Sequence, residues 1–266
     1  MEKIKVVVNG AMGKMGSETV KAVLNDPEMK LVGMADIRAR GESIGSIMGS
    51  DNQQDLVVEN DVEKLVELTR PDLIIDFTSP QSIFDNVRGF LKMGVSCVVG
   101  TTGLSDADLK QLDQLALDKG VGVAVIPNFA IGAVLMMKFA REAARYFPDV
   151  EIIELHHPQK LDSPSGTSIK TAELINEARA VRPPSGVREI EKIPGCRGGD
   201  ADAVRIHSVR LPGFVAHQEV IFGGLGQSLT IRHDSYDRVG FMPGVIMVSK
   251  KMKDIKGLVY GMDNLL

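Results

Sequence analysis

Apolar residues in the first half of the chain form short runs that alternate with stretches of helical periodicity. Ile4–Val8 is a β-branched run typical of a buried strand, and an amphipathic stretch from Lys14 to about Leu24 follows it. The alternation continues with strands predicted at 29–36, 72–77, 95–100 and 121–126 and helices at 62–68, 80–93 and 105–119. Strands that alternate with helices in this way indicate βαβ units and an α/β fold with a parallel sheet.

The pattern changes after about residue 128. Two helices are predicted, at Ile131–Tyr146 and Ser165–Ala180, with a strand between them at 150–157. A loop rich in proline and glycine (181–200) precedes strand candidates at 204–210, 214–222 and 228–233 and a final helix over 239–250. Clustered strands with helices on one face predict a second sheet of the α+β type.

Length, composition and charge narrow the class of protein. The 266 residues fit two compact domains or one large α/β domain, and 44% hydrophobic with 25% charged residues is ordinary for a soluble globular protein. A net charge of −4 argues against a nucleic-acid partner. No stretch approaches the roughly 20 apolar residues of a membrane helix, and the opening MEKIKVVVNG is not typical of a signal peptide. We therefore predict a cytoplasmic protein, or an organellar one without its transit peptide, with no membrane partner.

The segment NGAMGKMG follows the first predicted strand and opens the first predicted helix. Its glycines, Gly10, Gly13 and Gly16, let the backbone turn tightly and let a pyrophosphate approach it. The helix N-terminus adds N–H groups and the positive end of its dipole. Met12 takes the middle position of the usual glycine pattern, so the triplet alone also fits an ordinary strand-to-helix turn. The strand–loop–helix context favours a dinucleotide site.

Asp36 ends the second predicted strand, where an acidic residue of such sites meets the adenosine ribose hydroxyls. Its carboxylate favours NAD, because it repels the 2′-phosphate of NADP. Arg38 and Arg40 could pair with that phosphate or simply lie in a solvated loop. We therefore expect dual use of NADH and NADPH.

Two later strands also end in segments suited to a ligand, VVGTTG and IPNF. Open α/β sheets bind ligands at the carboxyl ends of their strands. Thr101 and Thr102 could therefore contact the nicotinamide ribose, or could form a turn or helix cap. The segment 126–129 leaves the same alternatives open.

The segment ELHHPQKLDSPSGTS concentrates residues that move protons. His156 and His157 exchange a proton near neutral pH, and Lys160 can do so if its pKa is lowered. Adjacent strand residues point to opposite faces, so the two histidines would not chelate one ion. Neither Cys97 nor Cys196 is spaced for metal or redox chemistry, and we predict no metal site.

The same segment ends with a helix-start signal. Ser165 as the N-cap would leave the N–H groups of Gly166 and Thr167 for a carboxylate. The three residues would serve equally well as a cap alone.

The pattern E-x-H-H-x-x-K-x-D-x-P-S-G-T resembles the signature of the 4-hydroxy-tetrahydrodipicolinate reductase family. The segments NGAMGKMG, DFTSP, VVGTTG, PNF and GLVYGMDNLL extend the resemblance over essentially the whole chain. It implies that His156 is the acid–base residue and that Lys160 is a proton donor. Residues implied to bind a small dicarboxylate substrate are His157, Ser165, Gly166 and Thr167. Residues expected to bind the cofactor are Gly10, Ala11, Met12, Gly13, Lys14, Met15, Asp36, Arg38, Gly100, Thr101, Thr102, Ile126, Pro127, Asn128 and Phe129.

The resemblance also implies an architecture and a reaction. Residues 1–129 plus 240–266 would form a Rossmann-like dinucleotide-binding domain, and residues 130–239 a substrate-binding and oligomerisation domain that builds a homotetramer. The reaction would be NAD(P)H-dependent reduction of 4-hydroxy-tetrahydrodipicolinate to tetrahydrodipicolinate in the diaminopimelate route to lysine. Loss of the substrate's 4-hydroxyl gives a conjugated system that accepts hydride at C4, and a nearby acid supplies the balancing proton. Some members carry arginine directly after the acidic residue, where this chain has Ile37. That departure argues against a strong NADP preference unless Arg38 substitutes.

Two other hypotheses fit parts of the sequence. One is another NAD(P)-dependent dehydrogenase of similar fold, but an acylating semialdehyde enzyme needs a cysteine nucleophile and neither Cys97 nor Cys196 is well placed. The other is a nucleotide-sensing module without turnover, which leaves the clustered His156, His157 and Lys160 unexplained.

Overall fold

The computed structural model of the chain describes residues 2–45, 56–179 and 190–266. In chain order its strands are β1 (Ile4–Asn9), β2 (Met29–Ala35), β3 (Val58–Glu59), β4 (Leu73–Asp76), β5 (Ser96–Val99), β6 (Gly122–Val125), β7 (Asp149–His156), β8 (Gly199–Asp200), β9 (Arg205–Arg210), β10 (Ala216–Gly224), β11 (Gln227–Ser235) and β12 (Gly257–Tyr260). Its α-helices are α1 (Lys14–Asn25), α2 (Val62–Thr69), α3 (Ile83–Lys92), α4 (Asp106–Lys119), α5 (Ile131–Ala143), α6 (Gly166–Ala178) and α7 (Met242–Lys251). Short 3-10 helices lie at Arg238–Phe241, Met252–Asp254 and Asp263–Leu265.

The chain divides into two compact units. The first comprises Met1–Phe129 with Phe241–Leu266, and the second comprises Ala130–Gly240. Each unit has its own sheet and its own apolar core.

A seven-stranded sheet in the order β12-β6-β5-β4-β1-β2-β3 forms the first unit. Every pairing is parallel, which confirms the predicted Rossmann-like α/β fold. Strands β4 and β6 are buried along their whole length, as expected for parallel strands with both faces covered. The strand order reverses direction between β1 and β4, and sheets of this kind bind ligands at such a switch point.

Three short strands are absent from the sequence-based prediction. Strand β12 lies in the closing segment GLVYGMDNLL and pairs with β6, and β3 pairs with β2. Strand β8 falls within the predicted loop 181–200, so that prediction is wrong at Gly199–Asp200; residues 180–189 lie outside the described part of the chain. Runs of two to four residues are too short to show a period. The partners of β12 and β3 are also distant in the sequence, whereas β8 pairs with the nearby β9.

The second unit contains a five-stranded mixed sheet in the order β11-β10-β7-β9-β8. Helices α5 and α6 contribute Met136 and Ile175 to a core that includes Ile152, Val220 and Phe222 from the sheet. This arrangement confirms the predicted α+β unit.

Strand β7 changes character along one face. Its alternate residues Val150, Ile152 and Glu154 are buried, and His156 follows on the same side. The apolar face of the strand therefore turns polar at its carboxyl end, where the loop to α6 begins.

Candidate active site

Where β1 leads into α1, two glycines, one in the loop and one in the first turn of the helix, have backbone atoms too close to leave room for a side chain. Gly10 has φ +80°, and a Cβ there would lie 2.4 Å from the carbonyl oxygen of Phe77. A Cβ at Gly16 would lie 2.0 Å from the carbonyl oxygen of Gly10. Gly13 is less constrained at 3.1 Å from that oxygen, and it begins α1 with no side-chain cap. The first N–H groups of α1, which have no acceptor within the helix, therefore suit an anion such as a pyrophosphate.

A cavity of about 320 Å³ lies at the switch point of the first sheet. Its lining comes from the carboxyl ends of β1 and β2, from the segments that follow β1, β2, β3 and β4, and from α2 and α3. The lining residues are Asn9, Gly10, Gly13, Ala35, Asp36, Ile37, Arg38, Asn60, Val62, Phe77, Thr78, Ser79, Ser82 and Asn86. Its volume falls within the usual range for small-molecule sites. Gly10, Gly13, Asp36 and Arg38 therefore line one cavity, and these residues fit a dinucleotide.

Asp36 and Arg38 form a two-pronged ion pair in that lining. The Asp36 carboxylate accepts from Nε and Nη2 of Arg38, both at 2.9 Å, and from the N–H of Met12 at 3.1 Å. The Arg38 guanidinium holds the pKa of Asp36 below its usual range, although burial acts in the opposite direction. Asp36 is 4% exposed, whereas the Arg38 side chain is 62% exposed. Arg38 is therefore the partner that can move when a ribose or a phosphate approaches.

A buried carboxylate that the sequence-based prediction missed joins three strand ends. Asp76 accepts from the hydroxyl of Thr78 at 2.6 Å, from Nδ2 of Asn9 at 2.8 Å and of Asn86 at 3.2 Å, and from the hydroxyl of Thr101 at 3.4 Å. Burial raises the pKa of Asp76 despite these hydrogen bonds. Thr101 is thus engaged inside the protein. The sequence signal for Asp76 was an acidic residue directly after the apolar strand residues LII, since a buried charge needs partners.

Two of the other predicted cofactor residues, Gly100 and Phe129, lie against the ring of Phe77. A Cβ on Gly100 would lie 2.0 Å from the Phe77 ring, and the ring of Phe129 packs 5.7 Å from it between centroids. Ile126 is buried, whereas Thr102 is exposed. Phe77 was not among the predicted residues, although it follows β4 as Gly100 follows β5.

In the second unit, Glu154 lies between a histidine and an arginine. Its side chain is fully buried, and it accepts from Nη2 of Arg210 at 2.7 Å and from Nη1 at 2.9 Å. The Nδ1 atom of His156 contacts the same carboxylate. Burial would raise the pKa of Glu154, but hydrogen bonds from Arg210, Ser208 and His156 outweigh it and lower that pKa. The carboxylate is therefore ionised at neutral pH.

His156 carries a readily released proton. Burial lowers its pKa below the ordinary value, and the charges of Lys160 and Arg210 act in the same direction. Glu154 opposes this shift through its hydrogen bond and its charge. An imidazolium in these surroundings is a stronger acid than one in water.

Lys160 and His157 lie in the loop after β7. The Lys160 ammonium contacts both oxygens of Asp162, at 2.8 and 2.9 Å, and its backbone N–H donates to the carbonyl of His157 at 3.2 Å. Nη2 of Arg210 donates to the carbonyl of Asp162 at 2.8 Å and ties this loop to β9. Nδ1 of His157 is buried without a hydrogen-bond partner among the described residues, which fits a contact reserved for a ligand.

Helix α6 begins where this loop ends. Ser165 is its N-cap, and its hydroxyl accepts from the N–H of Ser168 at 3.2 Å. The Ser165 side chain is buried and therefore serves the cap. A Cβ on Gly166 would meet nothing within 4 Å, so a ligand can approach this backbone closely. The first N–H groups of α6, including that of Thr167, have no acceptor within the helix.

The chain thus combines a nucleotide-type cavity with a set of proton-moving residues beside an anion-binding helix start. These features define a dinucleotide-dependent oxidoreductase.

Comparison with known proteins identifies the family. Residues 4–129 match the family described as "Dihydrodipicolinate reductase, N-terminus" and residues 132–266 the one described as "Dihydrodipicolinate reductase, C-terminus". The 4-hydroxy-tetrahydrodipicolinate reductase of Syntrophomonas wolfei is 62% identical over 265 residues, covering 100% of this chain and 99% of that one. The enzyme of the same name from Desulfitobacterium hafniense is 51% identical over 267 residues, covering 100% of both. A solved structure described as "Dipicolinate bound Dihydrodipicolinate reductase from Paenisporosarcina sp. TG-14" is 46% identical, covers 99% of this chain and 100% of that one, and superposes with a TM-score of 0.89. The chain therefore belongs to the dihydrodipicolinate reductase family.

The family confirms the resemblance found in the sequence. The protein is an NAD(P)H-dependent oxidoreductase of the diaminopimelate route to lysine that reduces 4-hydroxy-tetrahydrodipicolinate. The hypotheses of another dehydrogenase and of a non-catalytic sensor are set aside. Within the described residues, no helix is long and apolar enough to cross a membrane.

Proposed function

We propose that this chain performs the reduction with His156 as the acid–base residue and Lys160 as a second proton donor. The proposal rests on one segment, from β7 through the following loop to the start of α6, which contains both His156 and Lys160. It places a histidine of lowered pKa at the end of β7, an ammonium in the loop and a helix start at Gly166. Reduction of a dicarboxylate needs an acid, a positive charge and an anion site, and this passage supplies all three.

The chain's own residues then have distinct tasks. The bound nicotinamide supplies the hydride. The N–H groups of Gly166 and Thr167 bind a substrate carboxylate, with His157 as a further donor or acceptor. Lys160 leaves Asp162 to pair with the substrate's negative charge. His156 exchanges its proton at Nε2, because Nδ1 is held by Glu154.

Ser165 contributes to substrate binding indirectly. Its hydroxyl caps α6 and also lies 2.8 Å from the hydroxyl of Ser168. The cap holds the first turn of α6 in the orientation that the carboxylate requires.

We also propose that the first unit binds both NADH and NADPH. The glycine loop, Lys14 and Met15 lie at the start of α1 and would hold the pyrophosphate. Asp36 would accept from the ribose hydroxyls of NADH once Arg38 moves away, and Arg38 would pair with the 2′-phosphate of NADPH. Exposed Ile37, in the same lining, offers apolar surface to the adenine. Gly100, Thr102 and the segment 126–129 would complete the site at the neighbouring strand ends.

The second unit is proposed to build a homotetramer. Side chains on the sheet face opposite α5 and α6, such as Ile153, Leu155 and Ile221, are apolar and half-buried. Strand β11 forms one edge of this sheet with nine residues, and a long edge strand favours pairing with another chain. Light scattering on the purified protein should give four times the chain mass; a monomeric mass would contradict this assembly.

We place the protein in the cytoplasm because it has only two, unpaired cysteines, which cell fractionation tests.

The decisive experiment follows the nicotinamide absorbance band at about 340 nm with enzymatically generated substrate, and compares NADH with NADPH. We expect substrate-dependent oxidation of both nucleotides at comparable rates. The control without substrate should show no oxidation. If neither nucleotide is oxidised when substrate is present, the proposed function is wrong; if only one is, the dual use is wrong.

A further inference from the structure

The second sheet does not need the buried ion pair of Glu154 and Arg210 to complete its hydrogen bonds. Strand β7 is already paired on both sides, with Glu154 opposite Ser208 of β9 and Gln218 of β10. Gln218 uses its own side chain on Ser168 and Thr171 of α6. Burying a carboxylate costs free energy unless each of its oxygens is paired. The presence of Glu154 at this position therefore indicates a role beyond the pairing of the strands.

That reason lies in what the pair touches. Glu154 contacts Nδ1 of His156, and Arg210 holds both oxygens of Glu154. The same Nη2 atom of Arg210 donates to the carbonyl of Asp162, whose carboxylate holds Lys160. One ion pair thus connects both proposed proton donors.

We propose that Glu154 and Arg210 are positioning residues that hold His156 and the Lys160 loop in their reactive arrangement. The proposal rests on the proposed roles of His156 and Lys160. Glu154 keeps the proton of the neutral imidazole on Nδ1 and leaves Nε2 for exchange with the substrate. Arg210 keeps Glu154 ionised and anchors the loop backbone at Asp162.

The charges around His156 are few and can be named. Glu154 stabilises its protonated form, while Lys160 and Arg210 destabilise it. The register partner of His156 on β9 is Arg210 itself, and on β10 it is Ala216, which does not titrate. Removing the Glu154 charge therefore lowers the pKa of His156 further.

A second trio of the same kind on β7 provides a matched control. Glu151 contacts Nε2 of His207 at 2.8 Å and is paired with Arg197, as Glu154 is with His156 and Arg210. Its side chain is 36% exposed, and it lies toward the opposite end of the strand. Because Glu154 is fully buried and Glu151 is not, a loss of stability alone would already differ between the two trios. The pH profile and the His156 titration distinguish such a loss from a role in positioning His156.

The test compares Glu154→Gln with Glu151→Gln and with His156→Asn. We expect Glu154→Gln to lower kcat about ten- to a hundred-fold, as loss of other partners that orient an imidazole does, with NADH affinity unchanged by fluorescence titration. The pH at which kcat falls on the alkaline side should move lower, because the active form is the protonated one. Proton NMR of the histidine Cε1–H should show the same downward shift of the His156 titration. Glu151→Gln should leave kcat and the His156 titration unchanged.

Each outcome decides the proposal. Normal kcat and an unshifted pH profile in Glu154→Gln, with His156→Asn impaired, would overturn it and leave the proposed function standing. Normal turnover in His156→Asn would overturn both. Should Glu154→Gln fail to fold, Arg210→Lys decides: it keeps the charge but loses the two-pronged grip, and an unchanged kcat there would overturn the proposal.

Discussion

The glycine loop of the first unit and the catalytic loop of the second both join a strand to a helix, yet they prepare for their ligands differently. The first loop has Gly13 at the N-cap with no side-chain cap, whereas the second has Ser165 capping α6 through its hydroxyl. Gly10 in the first loop and Gly16 in the first turn of α1 have no room for a Cβ, because backbone atoms lie against them. In the second, Gly166 has open space around it.

A glycine can be required by the fold of the protein or by the approach of a ligand, and the two loops illustrate these two cases. Gly10 and Gly16 are needed for the fold of the loop itself, so substitution there damages the protein before any ligand arrives. Gly166 is needed, on our proposal, only by the substrate. The first loop offers mainly backbone N–H groups, and the second adds the titratable side chains of His156 and Lys160. Four predictions test this contrast.

The largest effect is expected from the titratable side chains. We expect His156→Ala and Lys160→Ala each to lower kcat by about 10²–10⁴-fold, the usual contribution of a positioned general acid. Lys160→Ala should also raise KM, because it removes a positive charge near the dicarboxylate. NADH affinity, followed by fluorescence, should stay unchanged.

Lys170 provides the control for the lysine. It is half-exposed on α6 and pairs with Glu173 on the surface, so Lys170→Ala should behave as the unmodified enzyme. A near-normal kcat in Lys160→Ala would show that Lys160 binds the substrate through its charge and is not a proton donor. Normal turnover in both His156→Ala and Lys160→Ala would remove the catalytic assignment.

The next effect concerns the backbone of the first loop. Gly16→Ala should destabilise the protein by about 1–3 kcal/mol, because its Cβ would press on the carbonyl of Gly10. Nucleotide affinity should fall as well. Urea denaturation measures the first quantity. Gly13→Ala, with a looser fit of 3.1 Å, should cost less stability and mainly weaken the nucleotide; equal stability losses would contradict the distinction.

Cofactor choice is expected to respond more modestly. Asp36→Ala should weaken NADH binding by about ten- to a hundred-fold, since a hydrogen bond to a charged group contributes roughly 1.5–3 kcal/mol. NADPH should lose less, because Arg38 is then released from Asp36 and can pair with the 2′-phosphate. Isothermal titration with both nucleotides checks this. Equal losses would show that Asp36 acts only through its bond to the N–H of Met12.

The smallest effect belongs to Gly166. Alanine is compatible with the helix start and meets no neighbour, so Gly166→Ala should leave stability unchanged or raise it by about 0.4–1 kcal/mol. KM for the substrate should nevertheless rise, because the added methyl group occupies the approach to the N–H groups of α6. Thermal unfolding and steady-state kinetics together test this. An unchanged KM would mean that the carboxylate binds elsewhere.

Much of this molecule follows from local patterns. The alternation of short apolar runs with helices predicted the parallel sheet, and the segment from Lys14 to Leu24 agrees closely with α1 (Lys14–Asn25). The cap at Ser165 was predicted from its residue type alone. Such features depend on neighbours within one or two helical turns, which a single sequence displays.

Most of what the sequence-based prediction missed depends on partners far along the chain; the two-residue strand β8, which pairs with the nearby β9, is simply too short to show a pattern. Strand β12 exists because it pairs with β6, more than a hundred residues earlier, and nothing in GLVYGMDNLL signals that pairing. The same holds for the cavity wall at Phe77 and Asn86, which only the folding of β4 beside β1 brings to the glycine loop.

The sequence by itself determined the two kinds of sheet, the glycine loop with Asp36, and the short passage with His156, Lys160 and Gly166. Only the tertiary structure decided which charges meet. Asp76 reaches Asn9 across 67 positions, and Arg210 reaches Glu154 across 56. An acidic residue in a buried strand must be paired with a hydrogen-bond donor, and this much can be inferred from the residue type. Which donor lies beside it depends on strand order and register, which are set by the packing of the whole sheet.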